Sequence, residues 1–287
     1  MEVFWKALVY IAVFIIGFVA ISLWNFYMVI HPPEITGSRV PSDLNLPENE
    51  VIIESSDGTK LSAWLMESLT SKKSKRALII LHGYPAEKSD MLSIASILYP
   101  DFTLLLPDAR SFGKSEGSYT TLGIKERADT RAAIDFLEVN GYEKIGIFGF
   151  SVGGAVGILT AAEDDRVGAV ASYASFSDVK TLGEDVYTSL WILKKPMVAL
   201  MLTWSKLFLK ESLVNVSPLK AIEGLRIPLF ITHTEADEVT PFSHALRLQR
   251  ASHDNENAEF YFQKEEIHGE LPPEFHTKLN VFFNQSL

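Results

Sequence analysis

The pentapeptide Gly149-Phe150-Ser151-Val152-Gly153 constrains this chain more than any other stretch, because of what stands on either side of it. The apolar run Lys144-Ile145-Gly146-Ile147-Phe148 precedes it, and the small-residue stretch Gly154-Ala155-Val156-Gly157-Ile158-Leu159 follows. A G-x-S-x-G pattern between a strand and a helix demands a sharp turn that holds the serine in a strained backbone conformation at the top of a parallel sheet. The flanking glycines are required where a Cβ would collide with the neighbouring strand and helix. Two nucleotide-binding readings of these glycine-rich turns fail on spacing. Gly146, Gly149, Gly153 and Gly154 do not match G-x-G-x-x-G, and Gly113-Lys114-Ser115, which ends like a P-loop, has Asp108 where that loop needs glycine.

The rest of the chain supplies the sheet that such a turn implies. After a hairpin signal at Ser56-Asp57-Gly58, which joins Val51–Glu54 to Leu61–Met66, strand-like apolar runs recur at Ala77–Leu81, Thr103–Leu106, Ile145–Phe148, Val167–Ser172, Leu229–Thr232 and Glu259–Phe262. Helical patterns lie between or after them near Glu87–Leu98, Leu122–Glu138, Val152–Ala162, Phe242–Ser252 and Pro273–Asn284. Alternation of this kind predicts an α/β fold: a mostly parallel eight-stranded sheet with helices on both faces, led in by an antiparallel hairpin. Fully apolar strands such as Ala77-Leu78-Ile79-Ile80-Leu81 fit burial on both sides. One interval breaks the rhythm. Residues 177–226 contain no strand, and Val186–Leu193 and Met197–Phe208 look helical and strongly apolar. Ordinary packing onto the body is one reading. The other is a helical lid whose apolar inner face suits an acyl group, leaving the end of the sixth strand where such sheets bind ligands.

A serine hydroxyl needs a base, and an imidazole base needs a carboxylate to fix its tautomer. With this turn the partners follow in the order serine, acid, histidine. Beyond Leu229–Thr232 comes His233-Thr234-Glu235-Ala236-Asp237-Glu238-Val239-Thr240-Pro241, and Asp237 is the candidate acid, with Asp178, Glu235 and Glu238 as rivals. Beyond Phe260-Tyr261-Phe262 comes His268-Gly269, and His268 is the candidate base; His276 falls inside the final helical pattern. His31, His82, His233, His244 and His253 read as linker, strand-end or helix residues rather than metal ligands. Oxyanion stabilisation needs backbone N–H groups: that of Val152, after the nucleophile, and one from His82-Gly83-Tyr84-Pro85, with Tyr84 the best candidate.

Composition narrows the remainder. A net charge of −10 over 287 residues leaves no basic stripe for nucleic acid. The absence of cysteine excludes disulfides, thiolate catalysis and Cys-ligated zinc, and no motif calls for a cofactor or metal. The hydrophobic share of 47% is raised by Ala7–Ile30, a run without charge or proline. As a helix that run spans about 36 Å, against roughly 30 Å of bilayer hydrocarbon. Trp5, Trp24 and Tyr27 lie toward its ends, where the membrane interface favours such rings. A cleaved signal peptide would need a site near Ala20-x-Ser22, but the apolar run continues well past it. The organisation expected is a single-pass anchor at 1–30, a Pro-rich linker at 31–50 and a domain at 51–287 with the lid at about 177–226. Lys6 and the α-amine, against Arg39 among Glu34, Asp43, Glu48 and Glu50, lean toward a domain on the non-cytoplasmic side.

Taken together, four blocks resemble the α/β-hydrolase superfamily: His82-Gly83-Tyr84; Asp108-Ala109-Arg110-Ser111-Phe112-Gly113-Lys114-Ser115; Gly149–Gly154; and Asp237–Pro241 with His268-Gly269. The resemblance runs from about Val51 to the C-terminus and is nearest to membrane-tethered serine hydrolases grouped with prolyl-aminopeptidase-like, lysophospholipase-like and acyl-thioesterase-like members. Ser111 stands in place of the usual glycine of D-x-R-G-x-G, and Thr234 in place of the glycine after His233. The resemblance implies structural roles for Asp108 and Arg110 and a Ser151–Asp237–His268 triad. It also implies an acyl-enzyme route on a carboxylic ester or thioester, with lipid-like acyl groups suiting the lid and tether. A serine peptidase is the alternative within that class. A non-catalytic, membrane-anchored binding protein is the alternative outside it, although no triad member is missing.

Overall fold

A computed structural model describes residues 1–33, 37, 39–68, 74–271 and 274–287. Helix α1 (Glu2–Ile30) leads to the strands β1 (Asn49–Glu54), β2 (Lys60–Met66) and β3 (Arg76–Leu81), then to α2 (Leu92–Leu98), β4 (Thr103–Pro107) and α3 (Lys125–Val139). Next come β5 (Lys144–Phe150), α4 (Val152–Ala161) and β6 (Val167–Tyr173), followed by a helical excursion of α5 (Val179–Val186), α6 (Lys194–Trp204) and α7 (Pro218–Ile222). The chain closes with β7 (Leu229–Thr234), α8 (Ser243–Ala251), β8 (Ala258–Gln263) and α9 (Phe275–Ser286). One eight-stranded sheet has the order β1-β2-β4-β3-β5-β6-β7-β8. β2 runs antiparallel to β1 and β4, and the remaining pairs are parallel.

Strand alternation divides the core between the two faces of the sheet. Ile79 and Ile147 pack with Ala133, Ile134 and Leu137 of α3, Val156 of α4 and Leu248 of α8. Leu78, Ile80 and Phe148 pack on the other face with α2 and with Phe275, Leu279, Phe282 and Phe283 of α9. Those four positions fall at helical i, i+4, i+7, i+8 spacing, so α9 presents one apolar stripe, and burying each such side chain contributes about 1.5–3 kcal/mol.

All eight expected strands form, each within two residues of the expected bounds. The helical pattern near Glu87–Leu98 divides into a 3₁₀ turn, Lys88–Met91, and α2. The final helix begins at Phe275, and Pro273 lies outside the described residues. Glu34, in the linker, also lies outside them. Val186–Leu193 differs most from expectation. Helix α5 stops at Val186, and Thr188–Leu193 is a 3₁₀ segment broken at Trp191 (φ 50°, ψ −113°). Thr188 turns its hydroxyl back onto the Glu184 carbonyl (3.2 Å), the side-chain competition that weakens helices at such residues.

The apolar helix α1 is not simply tethered to the domain. Its last three turns bury Ser22, Phe26 and Ile30. Phe26 and Ile30 join Ala155 and Leu159 of α4 and Leu209, Leu213 and Val216 of the excursion in one cluster. The Trp204 indole N–H donates to Ser22 Oγ (3.0 Å), and Tyr187 hydroxyl donates to Asn25 Oδ1 (3.1 Å).

Asp108, at the end of β4, is wholly buried and ties three segments together. Oδ1 accepts the Lys88 N–H (2.8 Å), Oδ2 accepts the Lys114 N–H (2.9 Å), and the Lys88 ammonium pairs with Oδ2. Nearby, Arg110 bridges Asp129 (Nε to Oδ2, 2.7 Å) and Asp57 (2.9 Å). These contacts fit the structural roles that the resemblance implied. Ser111, which replaces the expected glycine, has φ 68°, and its buried Oγ has no partner among the described residues. A non-glycine residue in the left-handed region costs roughly 1–2 kcal/mol. Ser111→Gly is therefore expected to raise stability by about 1 kcal/mol, or roughly 2–4 °C in thermal midpoint. An unchanged or lower midpoint in a melting scan would contradict this.

Candidate active site

β5 lies at the centre of the sheet, and its carboxyl end delivers Ser151 at φ 53°, ψ −115°. This conformation costs on the order of 1–3 kcal/mol and persists only if its surroundings enforce it. They do so on both sides: the Ser151 N–H donates to the Tyr173 carbonyl on β6 (2.8 Å), and its own carbonyl accepts the Ala155 N–H of α4 (3.1 Å). A Cβ on Gly153 would lie 2.5 Å from the Leu81 and His82 carbonyl oxygens, and one on Gly149 would lie 2.2 Å from that of Gly153. Only glycine lets helix, strand and loop approach this closely.

The loop after β7 holds Asp237, and the loop after β8 holds His268. His268 Nδ1 donates to Asp237 Oδ2 at 2.7 Å, while Asp237 Oδ1 accepts the N–H groups of Val239 (2.9 Å) and Thr240 (2.7 Å). Burial pushes the Asp237 carboxyl up. The His268 bond and the Thr240 N–H outweigh this and leave it below the usual carboxylate range. An ionised acid with one oxygen on Nδ1 leaves Nε2 of His268 as the basic nitrogen. The His268 ring centroid is 4.9 Å from that of Phe150, the residue preceding Ser151. Among the described residues, the hydrogen bonds of His268 run to Asp237 and Glu238, and none runs to Ser151 Oγ. Nucleophile–base contacts often close only in the Michaelis complex.

The rival residues have other roles. Asp178 caps α5 by accepting the Thr181 N–H (2.8 Å), Glu235 is exposed, and Glu238 accepts the His268 backbone N–H (3.4 Å). His276 lies on the exposed side of α9. Two histidines that sequence reasoning passed over support the site. His233 is buried, donates from Nε2 to the Thr240 carbonyl (2.8 Å) and stands 3.4 Å from Asp237 Oδ2, bracing the acid loop. His82 accepts the Ala109 N–H on Nε2 (2.9 Å) and donates from Nδ1 to the Gly83 carbonyl (2.7 Å), which fixes the loop carrying Tyr84. Burial lowers both imidazoles below the ordinary histidine value, in keeping with neutral, donor–acceptor roles. His233 stood before the acid loop and His82 opened the block His82-Gly83-Tyr84, but neither position told which groups its ring nitrogens would meet.

The loop of Tyr84 lies directly over the turn: a Cβ on Gly83 would be 3.3 Å from the Ser151 Cβ. The candidate oxyanion residues Tyr84 and Val152 both line one small cavity of about 40 Å³, with Leu61, Gly83, Phe112 and Gly153. A larger cavity of about 430 Å³, lined by Met91, Ile94, Phe148, Phe150, Tyr173 and Leu271, lies behind Phe150 and reaches Gly269 beside His268. Among the described residues, no three His, Asp or Glu side chains cluster as metal ligands.

Residues 76–195 match the family model described as alpha/beta hydrolase fold. The chain is 29% identical over 161 residues to protein bem46 of Schizosaccharomyces pombe, a match covering 53% of each chain, so that it spans about half that relative's length. The fold is similar to that of the Pyrococcus furiosus esterase Pf2001 (TM-score 0.74, 24% identity, covering 90% of this chain and 98% of that one). It is also similar to that of an acylaminoacyl peptidase of Pyrococcus horikoshii (TM-score 0.67, 19% identity, covering 84% of this chain and 42% of that one).

Proposed function

Because the chain belongs to the α/β-hydrolase superfamily, we propose that it is a serine hydrolase acting through an acyl-enzyme on a carboxylic ester or thioester. The observation that carries this reading is the 2.7 Å bond between Asp237 and His268, on the loops following β7 and β8, beside the strained Ser151. Ser151 Oγ attacks the acyl carbon as His268 Nε2 takes its proton, and Asp237 holds the imidazolium that results. The backbone N–H groups of Tyr84 and Val152 receive the oxyanion. His268 then protonates the departing alcohol or thiol, and a water activated by the same nitrogen releases the acid.

The mainly apolar lining of the cavity at Tyr84 and Val152 supports an acyl substrate. Helix α1 is read as a retained membrane-spanning helix: it is long and apolar enough to cross a bilayer. Cleavage near Ser22 would leave Phe26 and Ile30 on the domain but break the chain at the bond that Ser22 accepts from Trp204. The direct test is labelling by a fluorophosphonate probe, which reacts only with an activated serine. The full-length protein should label within minutes and Ser151→Ala should not label at all. Equal labelling of the two would overturn the assignment.

A further inference from the structure

The helical excursion carries an exposed apolar surface that the catalytic reading does not use. Trp191 is 80% exposed and Ile192 71%, and Leu207 and Phe208 are also exposed. These side chains therefore present apolar surface away from the core of the domain. From Trp191 to Lys210 the chain has four lysines, Lys194, Lys195, Lys206 and Lys210, and no acid, although the protein as a whole carries −10. Among the described residues, none of the four makes an ion pair.

This surface is continuous with α1. Trp204 bonds Ser22, and Phe208 stacks on Phe26 with ring centroids 6.4 Å apart. Between Phe208 and the helix lies a groove of about 640 Å³ lined by Ala20, Leu23, Trp24, Tyr27 and Ile30. Helix geometry sets the depth. The part of α1 that precedes Ser22, Glu2–Ile21, is about 30 Å long, which matches the hydrocarbon thickness of a bilayer. If that part crosses the hydrocarbon, Ser22 stands at its boundary, and the Trp204–Ser22 bond fixes α6 at the same level.

We propose that the stretch Trp191–Lys210 is a lipid-docking surface that seats in the membrane face from which α1 emerges. Its apolar side chains enter the acyl region, its four lysines lie among anionic headgroups, and the groove beside Phe208 takes a lipid chain. Apolar side chains beside lysines at one depth are the composition of an interfacial segment, and anionic lipid supplies the matching charge. The proposal rests on the reading of α1 as membrane-spanning. It deepens the functional reading by placing the helical excursion in contact with the phase that holds lipid-like substrates.

The native chain has no cysteine, so a single introduced cysteine is a unique labelling site. Ile192→Cys, Leu207→Cys, Ile15→Cys in α1 and the exposed, distant Val139→Cys in α3 would each carry an environment-sensitive fluorophore. Each full-length protein would be reconstituted into phosphatidylcholine vesicles with or without phosphatidylglycerol. Probes at 192 and 207 should emit to the blue of the 139 probe. They should be quenched several-fold more strongly by lipids bearing a nitroxide near the headgroup, and phosphatidylglycerol should deepen that quenching. The 139 probe should respond only to aqueous iodide. If 192 and 207 behave like 139 while the Ile15 probe is quenched from the chain ends, the anchor stands and the docking surface is wrong. If iodide reaches the Ile15 probe, the spanning reading fails, and the docking proposal fails with it.

Discussion

Replacing Ser151 with alanine, or His268 with alanine, should each lower turnover of an activated ester by at least roughly 10³-fold, and combining them should cost little more than either alone. The expectation follows from how the parts depend on one another. Without the imidazole the hydroxyl keeps its proton, and without the hydroxyl the imidazole has nothing to activate. Asp237→Asn should be comparably damaging for a different reason. The carboxylate accepts the Nδ1–H of His268 on one oxygen and two backbone N–H groups on the other. An amide can turn its NH₂ toward Nδ1, which then holds the wrong tautomer, and the lone pair needed at Nε2 is lost. Initial rates over a substrate series, with thermal midpoints measured in parallel, separate lost chemistry from lost fold. Near-native turnover by a folded His268→Ala protein would remove His268 as the base.

What could be read from the sequence follows from how local each signal is. The strands of this sheet are buried on both faces, so Ala77–Leu81 and Ile145–Phe148 stand out as continuous apolar runs. The turn at Ser151 is legible because glycine is forced by backbone collisions within a few residues of it. Asp237 and His268 were found from chain order, since in such a sheet the loops after the last two strands converge on the turn. The excursion was harder. Its helices are short, its apolar residues face outward as well as inward, and the kink at Trp191 has no proline or glycine to announce it. The roles of His233 and His82 also escaped, because they rest on the Thr240 carbonyl and the Ala109 N–H, partners that only the folded chain brings to those rings. The union of α1 with the excursion was hidden for a related reason: Ser22 and Trp204 are 182 residues apart, and a serine within an apolar run looks like an ordinary membrane residue until its partner is known.

Breaking the buried pair of Lys88 and Asp108 should produce the largest loss of stability of any charge contact outside the catalytic residues. Both side chains are almost completely shielded from solvent. The lysine ammonium has Asp108, the Ser62 hydroxyl (2.9 Å) and the face of Trp64 (5.1 Å to the ring centroid) for company. Asp108→Asn keeps the shape but removes the carboxylate that, among the described residues, alone pairs with that ammonium. Breaking one side of such a pair typically costs about 3–5 kcal/mol, because the remaining charge is stranded in a poorly polarisable interior. For a domain of this size that is roughly 6–20 °C of thermal midpoint. Lys88→Met strands the carboxylate instead, but two backbone N–H groups still bind it, from Lys88 itself and from Lys114. Its loss should therefore be the smaller of the two. The double variant Lys88→Met/Asp108→Asn removes both charges, and its loss should fall short of the sum of the single losses by at least about 1 kcal/mol, the signature of coupled neighbours. Denaturant titrations of the four proteins test the ordering. Additive losses, or a milder effect from Asp108→Asn than from Lys88→Met, would mean that the ammonium is not held by Asp108. The consequence reaches the active site, because Lys88 lies four residues beyond Tyr84 and its bonds to Asp108 anchor the far end of the loop that presents the Tyr84 N–H. In the Asp108→Asn protein the catalytic rate should therefore fall along with the midpoint.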